Sequence, residues 1–504
     1  MNFKLAAITV LGLISKSHAL SSYEVRWNQL ELELQSEGKD LKNVETESLA
    51  ADPQFQYFNQ PLDHFNANDK NQWKQRYYTV EDFYKPGGPV FFENGGEGEI
   101  RNSKAGVERM LGYELAKKYN GAYIVIEHRY YGTSLPTADY SIPNLKWLNV
   151  DQALEDSAYF IKNHQLQITK DSKWIAIGGS YPGNIAAWMR LKFPDLIYAA
   201  HSSSGPVLAK VDFWRYGFAV DYAISKIGNQ ACANGWNKAI AIFDKKAKDD
   251  AAQVQADFAY QYDLKYLATN LSWRWAALAQ YGPSYFAATN KVKIDGTTLG
   301  YVDATCSGKY LKSFTNPSAT EQELYADLIK LYKGRVTTPQ PNGLADTLPL
   351  PDPITPATPV LSAKDMWTWQ FCTEFGYLQA GSKTERTAYS SLILPDDIQQ
   401  MYCQNYFGAD VIKPQADAVN AKYKGLDVHN AIDNILFVNG EYDPWRWLSV
   451  VDGQDGVDKT KSKNEMILIP QSHHCDDLFT PSAFTNSVLV DAHKTILAYW
   501  DKLL

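Results

Sequence analysis

Residues 175–187 read Ile-Ala-Ile-Gly-Gly-Ser-Tyr-Pro-Gly-Asn-Ile-Ala-Ala, and this stretch decides the fold. A buried strand is predicted up to Ile177, a glycine-dense turn holds Ser180, and a helix begins directly after it. Such a tight turn exposes a serine hydroxyl at its apex, as a nucleophile requires. The usual pattern is Gly-x-Ser-x-Gly, whereas here Pro182 stands two residues after the serine and Gly183 follows. By itself the pattern fits an ordinary glycine-rich strand-to-helix connection equally well.

The chain on both sides of this turn alternates short apolar runs with helical patterns. Strands are predicted at residues 89–92, 122–126, 174–177, 196–200, 435–438 and 466–469. Helices are predicted at residues 150–165, 184–193 and about 487–503. Strands that alternate with helices in this way form a mostly parallel sheet with helices on both faces, which is the predicted α/β fold.

Two loops supply the partners that a serine nucleophile needs. In sheets of this kind the order along the chain is serine, acid, histidine, each on a loop that follows a strand. Asp443 follows one of the predicted strands, and His473 and His474 follow the next. This order and interval favour a catalytic triad over an ordinary glycine-rich turn. Because adjacent histidines cannot both face Ser180, we take His473 as the base and keep His474 as the alternative.

The same loop allows a second hypothesis, a metal site formed by His473, His474, Cys475 and Asp476. Consecutive residues rarely converge on one ion, and the sequence has neither a His-Glu-x-x-His motif nor a third distant ligand. We therefore expect no metal and no cofactor.

The interval between the serine and the acid is far longer than one crossover helix needs. Aromatic-rich helical patterns fill much of it, and residues 339–359 hold seven of the 23 prolines, which predicts an irregular loop there. We predict core segments at residues 20–210 and 426–504, with a large helical cap at residues 211–425 inserted between them. A cap over the carboxyl ends of the strands would shape the substrate pocket.

The overall composition is that of a large globular protein. Of 504 residues, 45% are hydrophobic, 13% are aromatic and only 21% are charged, which excludes a disordered chain. The formal net charge of −8 opposes nucleic acid as a partner, because phosphates demand a basic surface. Since no stretch approaches the ~20 apolar residues that a membrane-spanning helix needs, we expect no membrane span.

The first residues have the pattern of a signal peptide. Lys4 precedes a mostly apolar run from Leu5 to Ile14, and small residues suit a cut after Ala19. We therefore predict a signal peptide at residues 1–19 and a protein of the secretory pathway, either extracellular or in a lysosome or vacuole. The alternative, an N-terminal anchor, is disfavoured because the run is short and polar residues follow it.

Secretion makes disulfides the expected state of most cysteines. There are five cysteines, so that one is left over: Cys232, Cys306, Cys372, Cys403 and Cys475. We expect Cys475 to stay free, because it lies in the loop of the two histidines. Asn270 begins the sequon Asn-Leu-Ser, which suits a glycosylated surface position in a secreted chain.

Several motifs together are similar to those of the S28 family of serine peptidases, over most of the predicted mature chain. They lie at residues 95–99 (Gly-Gly-Glu-Gly-Glu), 127–132 (Glu-His-Arg-Tyr-Tyr-Gly), 134–136, 178–181, 372–374, 443–445 and 473–474. The resemblance implies an α/β-hydrolase core with a helical insert and a triad of Ser180, Asp443 and His473. It also implies cleavage on the carboxyl side of proline.

The resemblance further implies two disulfides. One joins Cys372 to Cys403, and the other joins Cys232 to Cys306. Cys475 would then be the unpaired cysteine, in agreement with its position beside the histidines.

Oxyanion donors are expected at Tyr181, which follows the nucleophile, and at Gly96 in the glycine-rich loop of the family. That loop reads Gly-Gly-Glu-Gly-Glu where the family commonly has Gly-Asn-Glu-Gly-Asp, and Pro182 stands where the family commonly has glycine. The acids of the loop, Glu97 and Glu99, are expected to position a peptide terminus. The departure in this loop leaves exopeptidase and endopeptidase activity both open.

A proline side chain needs a flat apolar pocket, which aromatic residues supply. Trp445 is the first candidate, and Trp369 and Tyr377 are candidates from the cap side that fit equally well as ordinary core aromatics. The expected substrates are proline-containing peptides or proteins, and a homodimer is an alternative to a monomer. If the enzyme works in acid, burial under the cap is expected to depress the pKa of His473.

Two other functions fit the same residues. A serine esterase or lipase would use the same core and triad, and would turn over acyl esters while ignoring proline peptides. A non-catalytic binding protein on a hydrolase-like fold is opposed by the complete triad.

Overall fold

A computed structural model describes residue 49 and residues 51–286, 291–335, 361–408, 410–411, 413–481 and 486–504. Two predictions concern segments outside these residues, namely the signal peptide at residues 1–19 and the proline-rich loop at residues 339–359.

An eight-stranded sheet forms the centre of the molecule. In spatial order its strands are β1 (Gln56–Pro61), β2 (Gln72–Val80), β4 (Ala122–Ile126), β3 (Val90–Asn94), β5 (Trp174–Gly179), β6 (Ile197–Ser203), β11 (Ile435–Gly440) and β12 (Glu465–Ile469). The pairs β1 with β2 and β2 with β4 are antiparallel, whereas every pair from β4 to β12 is parallel. The predicted mostly parallel sheet is confirmed, and two antiparallel strands extend it at one edge.

Helices cover both faces of this sheet, as predicted. The α-helices are α1 (Lys104–Val107), α2 (Leu111–Lys118), α3 (Val150–Asn163), α4 (Tyr181–Lys192), α5 (Arg215–Ile227), α6 (Gln230–Asp249), α7 (Ala251–Phe258), α8 (Leu264–Phe286), α9 (Tyr301–Cys306), α10 (Glu321–Lys333), α11 (Met366–Gln370), α12 (Pro395–Ile398), α13 (Asn405–Phe407), α14 (Ala416–Tyr423), α15 (Val428–Ala431) and α16 (Ser487–Leu503). Phe92 of β3 packs with α3 and α4, whereas its neighbour Phe91 packs with α2 and α16. Successive side chains of one strand therefore enter two separate cores.

The segment between β6 and β11 is mainly helical and contains α5 to α15. It also contains β7 (Lys210–Asp212) paired with β10 (Gly376–Leu378), and a hairpin of β8 (Lys291–Ile294) and β9 (Thr297–Gly300). The hairpin was not predicted from the sequence, although its Asp295-Gly296 turn, with φ values of 48° and 86°, is a strong hairpin signal. The boundaries of the cap at residues 211–425 stay a prediction.

Two disulfides lie within this segment. Cys232 bonds to Cys306 and Cys372 bonds to Cys403, so the pairings that the family resemblance implies are confirmed. With sequence separations of 74 and 31 residues, each stabilises the fold by about 4 kcal/mol in a chain-entropy description. Cys475 is the free cysteine, and it is buried.

The sequon at Asn270 lies inside α8, where the asparagine is half-buried, and its glycosylation stays a prediction. The side-chain oxygen of Asn270 accepts a hydrogen bond from Arg335 Nη1 at 2.7 Å. The sequon hydroxyl, on Ser272, is buried and donates to the carbonyl of Ala268 at 3.0 Å. Both groups of the sequon therefore have hydrogen-bond partners within the protein. None of the helices described above combines the length and the apolar character that crossing a bilayer demands.

Candidate active site

The turn after β5 holds Ser180 in a strained backbone conformation. Its φ of 63° and ψ of −132° lie in a region that side chains other than glycine rarely adopt. The Ser180 N–H donates to the carbonyl of Ser203 at 2.9 Å, which fixes the turn against the end of β6. A Cβ atom on Gly178 would overlap the backbone of Pro182, and one on Gly183 would lie 2.7 Å from the Ser203 carbonyl oxygen. The glycines are therefore needed where strand and helix approach each other.

The loops after β11 and β12 bring together a buried carboxylate and a buried imidazole. Asp443 Oδ2 accepts a hydrogen bond from His474 Nδ1 at 2.8 Å, and neither side chain has exposed surface. The other oxygen, Asp443 Oδ1, accepts the backbone N–H of Trp445 at 2.9 Å. Because Nδ1 faces the carboxylate, Nε2 of His474 is the nitrogen that can exchange a proton with a substrate or nucleophile.

The geometry corrects the choice between the two adjacent histidines. His473 Nδ1 donates to the carbonyl of Ala279 at 2.9 Å, and its ring packs on that of Tyr442 at a centroid distance of 5.4 Å. It therefore faces helix α8 of the inserted segment and not Asp443. His474, which the sequence left as the alternative, is the histidine that faces Asp443.

The loop after β12 that holds His474, residues 470–478, is here called the base loop. Its contacts with other loops bring it to Ser180. Cys475, the residue after the base, donates its N–H to Ser204 Oγ at 3.0 Å, and its Sγ lies 3.9 Å from the carbonyl oxygen of Ser203. The same carbonyl accepts the N–H of Ser180. A Cβ atom on Gly179 would lie 2.8 Å from the Cys475 Sγ. The base loop is thus in direct contact with the residue that precedes the nucleophile.

A second buried cluster fastens the base loop to the end of β6. Asp477 Oδ2 lies 2.7 Å from Nε2 of His201, and Asp477 Oδ1 accepts from the hydroxyl of Ser203 at 2.5 Å. All three residues are buried. This cluster was not predicted, because the two acids after the histidines gave no sign of which strand they would contact.

The surroundings of His474 change its pKa in opposite directions. Burial lowers the pKa, whereas the charge of Asp443 and the contact with Cys475 raise it, and the net effect raises the pKa to about 10. A depressed pKa was expected for His473, and this expectation does not carry over to His474, the histidine that faces the acid. It took account of burial alone and not of a buried carboxylate at 2.8 Å.

The two expected oxyanion donors differ in their hydrogen bonding. Tyr181 is the first residue of α4, so its N–H has no acceptor within the helix. Gly96 has a φ of 67° and closely contacts the turn at residues 178–183, here called the elbow, since a Cβ atom on Gly96 would overlap Pro182. Its N–H, however, donates to Asn94 Oδ1 at 3.2 Å. The structure thus brings Gly96 to the elbow but argues against its role as the second donor.

The two acids of the glycine-rich loop have different environments. Glu99 Oε1 accepts from Arg76 Nη2 at 2.8 Å, and the same guanidinium bonds to the buried Glu127. Glu99 therefore holds the loop in place and has a partner within the protein. Glu97 is half-buried near the hydroxyl of Tyr181, where burial and neighbouring acids, Glu97 among them, raise the pKa of that hydroxyl.

Aromatic rings lie beside the elbow. Two of them belong to the inserted segment, which is the chain between β6 and β11. The ring of Tyr377 lies 5.4 Å from that of Trp445 and 6.4 Å from that of Trp367, and Trp367 lies 5.4 Å from Tyr181. Two of the three predicted pocket residues, Trp445 and Tyr377, are therefore brought together beside the elbow. Trp369 is not, since it packs in a separate hydrophobic cluster. Trp367 was missed, although it lies only two residues before Trp369.

A buried hydrogen-bond network surrounds the hydroxyl of Tyr181. His128 Nδ1 donates to the carbonyl of Arg129 at 2.7 Å, so Nε2 accepts from the Tyr181 hydroxyl at 3.0 Å. Gln370 donates to the same hydroxyl at 3.1 Å. Burial lowers the pKa of His128 to about 4 and raises that of the nearby Glu374 to about 8. The motifs at residues 127–132 and 372–374 thus contribute to the support of the residue next to the nucleophile.

These groups together can activate a hydroxyl for acyl transfer. A serine sits at a strained apex, a buried acid and imidazole lie on contacting loops, and a helix begins with an N–H that has no helical acceptor. Across the described ranges, no group of three or more His, Cys, Asp and Glu side chains could hold a metal ion.

The sequence matches known proteins over most of its length. The family described as serine carboxypeptidase S28 matches residues 60–497. A putative serine protease, K12H4.7 of Caenorhabditis elegans, is 30% identical over 458 residues, which cover 87% of this chain and 86% of that protein. The thymus-specific serine protease of Homo sapiens is 30% identical over 457 residues, or 85% of this chain and 82% of that protein. A probable extracellular serine carboxypeptidase of Arthroderma benhamiae is 28% identical over 468 residues, or 83% of this chain and 62% of that protein.

Proposed function

This chain belongs to the serine carboxypeptidase S28 family and is a serine-type peptidase, and we propose that it cleaves peptide bonds on the carboxyl side of proline through an acyl-enzyme on Ser180. The assignment of the site depends on the buried pair of Asp443 and His474. Their Oδ2 and Nδ1 atoms lie 2.8 Å apart, and the loop of His474 contacts the elbow. A fully buried ionisable pair is costly to fold, and such pairs with shifted pKa values concentrate at functional sites.

In the proposed mechanism, Ser180 Oγ attacks the carbonyl carbon of the scissile bond while His474 Nε2 takes the hydroxyl proton. The N–H of Tyr181 stabilises the oxyanion that forms, a contribution of about 3 kcal/mol for one such donor. His474 then gives its proton to the leaving amine, which leaves an ester of the substrate on Ser180. Water, deprotonated by the same imidazole, attacks this ester and releases the carboxylate. Asp443 orients the imidazole and stabilises its positive charge throughout.

The aromatic rings beside the elbow support the preference for proline. A pyrrolidine ring is compact and apolar, and it packs well on the face of an aromatic ring. Tyr377 and Trp445 are only 5% and 8% exposed, whereas Trp367 is half-buried. We therefore assign direct contact with proline to Trp367 and support of its ring to the other two. Glu97 is the acid of the glycine-rich loop that we assign to a terminal ammonium of the substrate.

We also propose that the protein enters the secretory pathway. Two disulfides persist best in an oxidising compartment, and one relative is named a probable extracellular serine carboxypeptidase. Amino-terminal sequencing of the secreted protein is expected to begin at Leu20. A mature protein that retains residues 1–19 would contradict the predicted cleavage.

Two measurements test the proposed activity. A fluorophosphonate, which reacts with activated serines, is expected to label the wild type and not Ser180→Ala. A peptide library that varies the residue before the cut is expected to show the fastest turnover with proline, and blocked termini will separate exopeptidase from endopeptidase activity. Turnover of acyl esters without cleavage of any proline peptide would support an esterase instead. A wild type that is not labelled would support a binding protein.

A further inference from the structure

Helix α8 of the inserted segment loses its regular hydrogen bonding beside the base loop. Gly282 has a non-helical φ of 83° and ψ of 161°, and residue 283 is a proline, which has no N–H to donate. In a regular helix the carbonyls of Ala279 and Gln280 would accept from residues 283 and 284. The proline cannot donate the first of these bonds, and the kink at Gly282 departs from the helical geometry that the second requires.

The two histidines of the base loop bond to these carbonyls instead. Ala279 accepts from His473 Nδ1, and Gln280 accepts from the backbone N–H of His474, each at 2.9 Å. The backbone of the proposed base is therefore held by a carbonyl that the insert supplies.

The side chain of Gln280 reaches the loop of the acid as well. Its Oε1 accepts from the hydroxyl of Tyr216 at 2.6 Å and from Trp445 Nε1 at 3.0 Å, and its Nε2 donates to the hydroxyl of Tyr281 at 2.7 Å. Trp445 in turn donates its backbone N–H to Asp443 Oδ1. Gln280 is buried, and it is bonded both to the residue that fixes the acid and to the backbone of the base.

We propose that Gln280 is a positioning residue for the pair of Asp443 and His474, so that helix α8 takes part in the catalytic arrangement in addition to covering it. The inference rests on the proposed function, in which His474 is the base. Gln280 touches no reacting atom and acts through Trp445 and the backbone of His474. Without the amide, Trp445 Nε1 loses its buried acceptor and the loop of Asp443 loses support, whereas the backbone carbonyl at position 280 still accepts from His474. The acid is then held less firmly against the imidazole, so proton transfer slows while substrate binding changes little.

The test compares Gln280→Met with Gln399→Met. Methionine is similar to glutamine in length and shape but lacks the amide. Gln399 is a matched control, because it is also a buried glutamine of the insert, and its amide atoms have no hydrogen-bond partner within the described ranges. For Gln280→Met we expect kcat on a proline peptide and the rate of fluorophosphonate labelling to fall about 10- to 100-fold, with KM within about threefold of wild type. Gln399→Met is expected to match the wild type in all three.

The pH profile separates positioning from a general loss of stability. Because Asp443 raises the pKa of His474, a looser pair moves the acid limb of the labelling rate to lower pH. A variant that is only less stable would keep the acid limb of the labelling rate at the pH of the wild type. If Gln280→Met does not fold, Tyr216→Phe removes one donor to the same amide oxygen and is expected to show a smaller shift in the same direction.

Three results would overturn the inference and leave the proposed function intact. The first is a folded Gln280→Met with wild-type kcat, labelling rate and acid limb. The second is a lower rate with an unmoved acid limb, and the third is an equal loss in Gln399→Met. A wild type that fluorophosphonate does not label would contradict the proposed function, and this inference with it.

Discussion

His473 and His474 are neighbours in the chain, yet their side chains meet different partners. His474 Nδ1 bonds to Asp443, whereas His473 Nδ1 bonds to the carbonyl of Ala279. We expect His474→Ala to lower the labelling of Ser180 by a factor on the order of 10⁴, and His473→Ala to retain most of it. Labelling kinetics of the two purified variants check this, and a greater loss in His473→Ala contradicts the assignment.

The residue types alone could not decide between the two histidines. Gln471 and Cys475, on either side of the pair, have left-handed φ values of 55° and 59°. The turn at Gln471 changes the direction of the chain before the two histidines, and the turn at Cys475 changes it after them. Glutamine and cysteine are not typical of this conformation, so nothing in the loop indicates the turn. The order of serine, acid and histidine along the chain could be predicted, because each of these residues follows a strand that the sequence itself indicates.

Asp443 is expected to control the pH dependence of the reaction. Burial lowers the pKa of His474, but Asp443 and Cys475 raise it to about 10. Since the base must be neutral, kcat/KM rises with pH as the proton leaves, and its acid limb lies above the ordinary ~6.5. In Asp443→Asn burial acts without the carboxylate, so the residual activity should have its acid limb at lower pH. The pH profiles of kcat/KM for both proteins test this, and an unmoved limb would exclude the proposed cause.

Gly96 and Pro182 are expected to be coupled in stability. Alanine at position 96 brings a Cβ atom into Pro182 and strains a φ of 67°. Gly96→Ala should therefore lower the free energy of unfolding by about 1–3 kcal/mol. In a Pro182→Ala background the steric part is relieved, and the loss should be smaller by about 1 kcal/mol. Urea unfolding of the four proteins in the cycle measures the coupling, and strictly additive losses would contradict it.

At the level of elements, the bond between the base loop and β6 depends on Asp477. Asp477→Ala leaves His201 and the hydroxyl of Ser203 without their buried acceptor. We expect a loss of about 2–4 kcal/mol in the free energy of unfolding, and slower labelling of the nucleophile. Asp501→Ala is the control, because Asp501 pairs with Lys118 at the surface and should cost within about 0.5 kcal/mol. Equal losses in both variants would show that the buried cluster has no special importance.

Strands buried on both faces were the most predictable elements. β3, β4 and β5 read as continuous apolar runs, since α-helices cover both of their faces. β2 was not predicted, because it buries the polar residues Gln75 and Arg76. Gln75 bonds to Gln60 and Arg76 bonds to Glu127, and both partners lie outside β2. A pattern of hydrophobicity does not reveal such long-range pairing.

For the whole molecule, the number of cysteines that a thiol reagent modifies reports how many are free and how many are in disulfides. The chain has five cysteines, two disulfides and one buried thiol. A thiol reagent is expected to modify none in the native protein, one after unfolding without reductant, and five after unfolding with reductant. Mass spectrometry of the modified protein gives these numbers directly. Three modified cysteines in the unreduced, unfolded protein would contradict one of the disulfides.

A mainly helical segment between β6 and β11 was predictable, but its contacts with the candidate active site were not. The long interval between Ser180 and Asp443 implied an insertion. The bond that the insert makes to the base uses the backbone carbonyl of Gln280, which any residue could have offered. Only the pairing of Gly282 with a following proline marked the place where helical carbonyls become available.

The bond between helix α8 and the proposed base joins parts of the chain that the ribosome makes at different times. The ribosome completes the nucleophile at residue 180 first, its helical support at residue 280 later, and the base at residue 474 almost last. If His474 is the base, we expect a nascent chain to carry an unreactive serine until residue 474 has been made. Under the same proposal, fragments that end before residue 474 are expected to show no peptidase activity, so that premature proteolysis is avoided by the order of the residues.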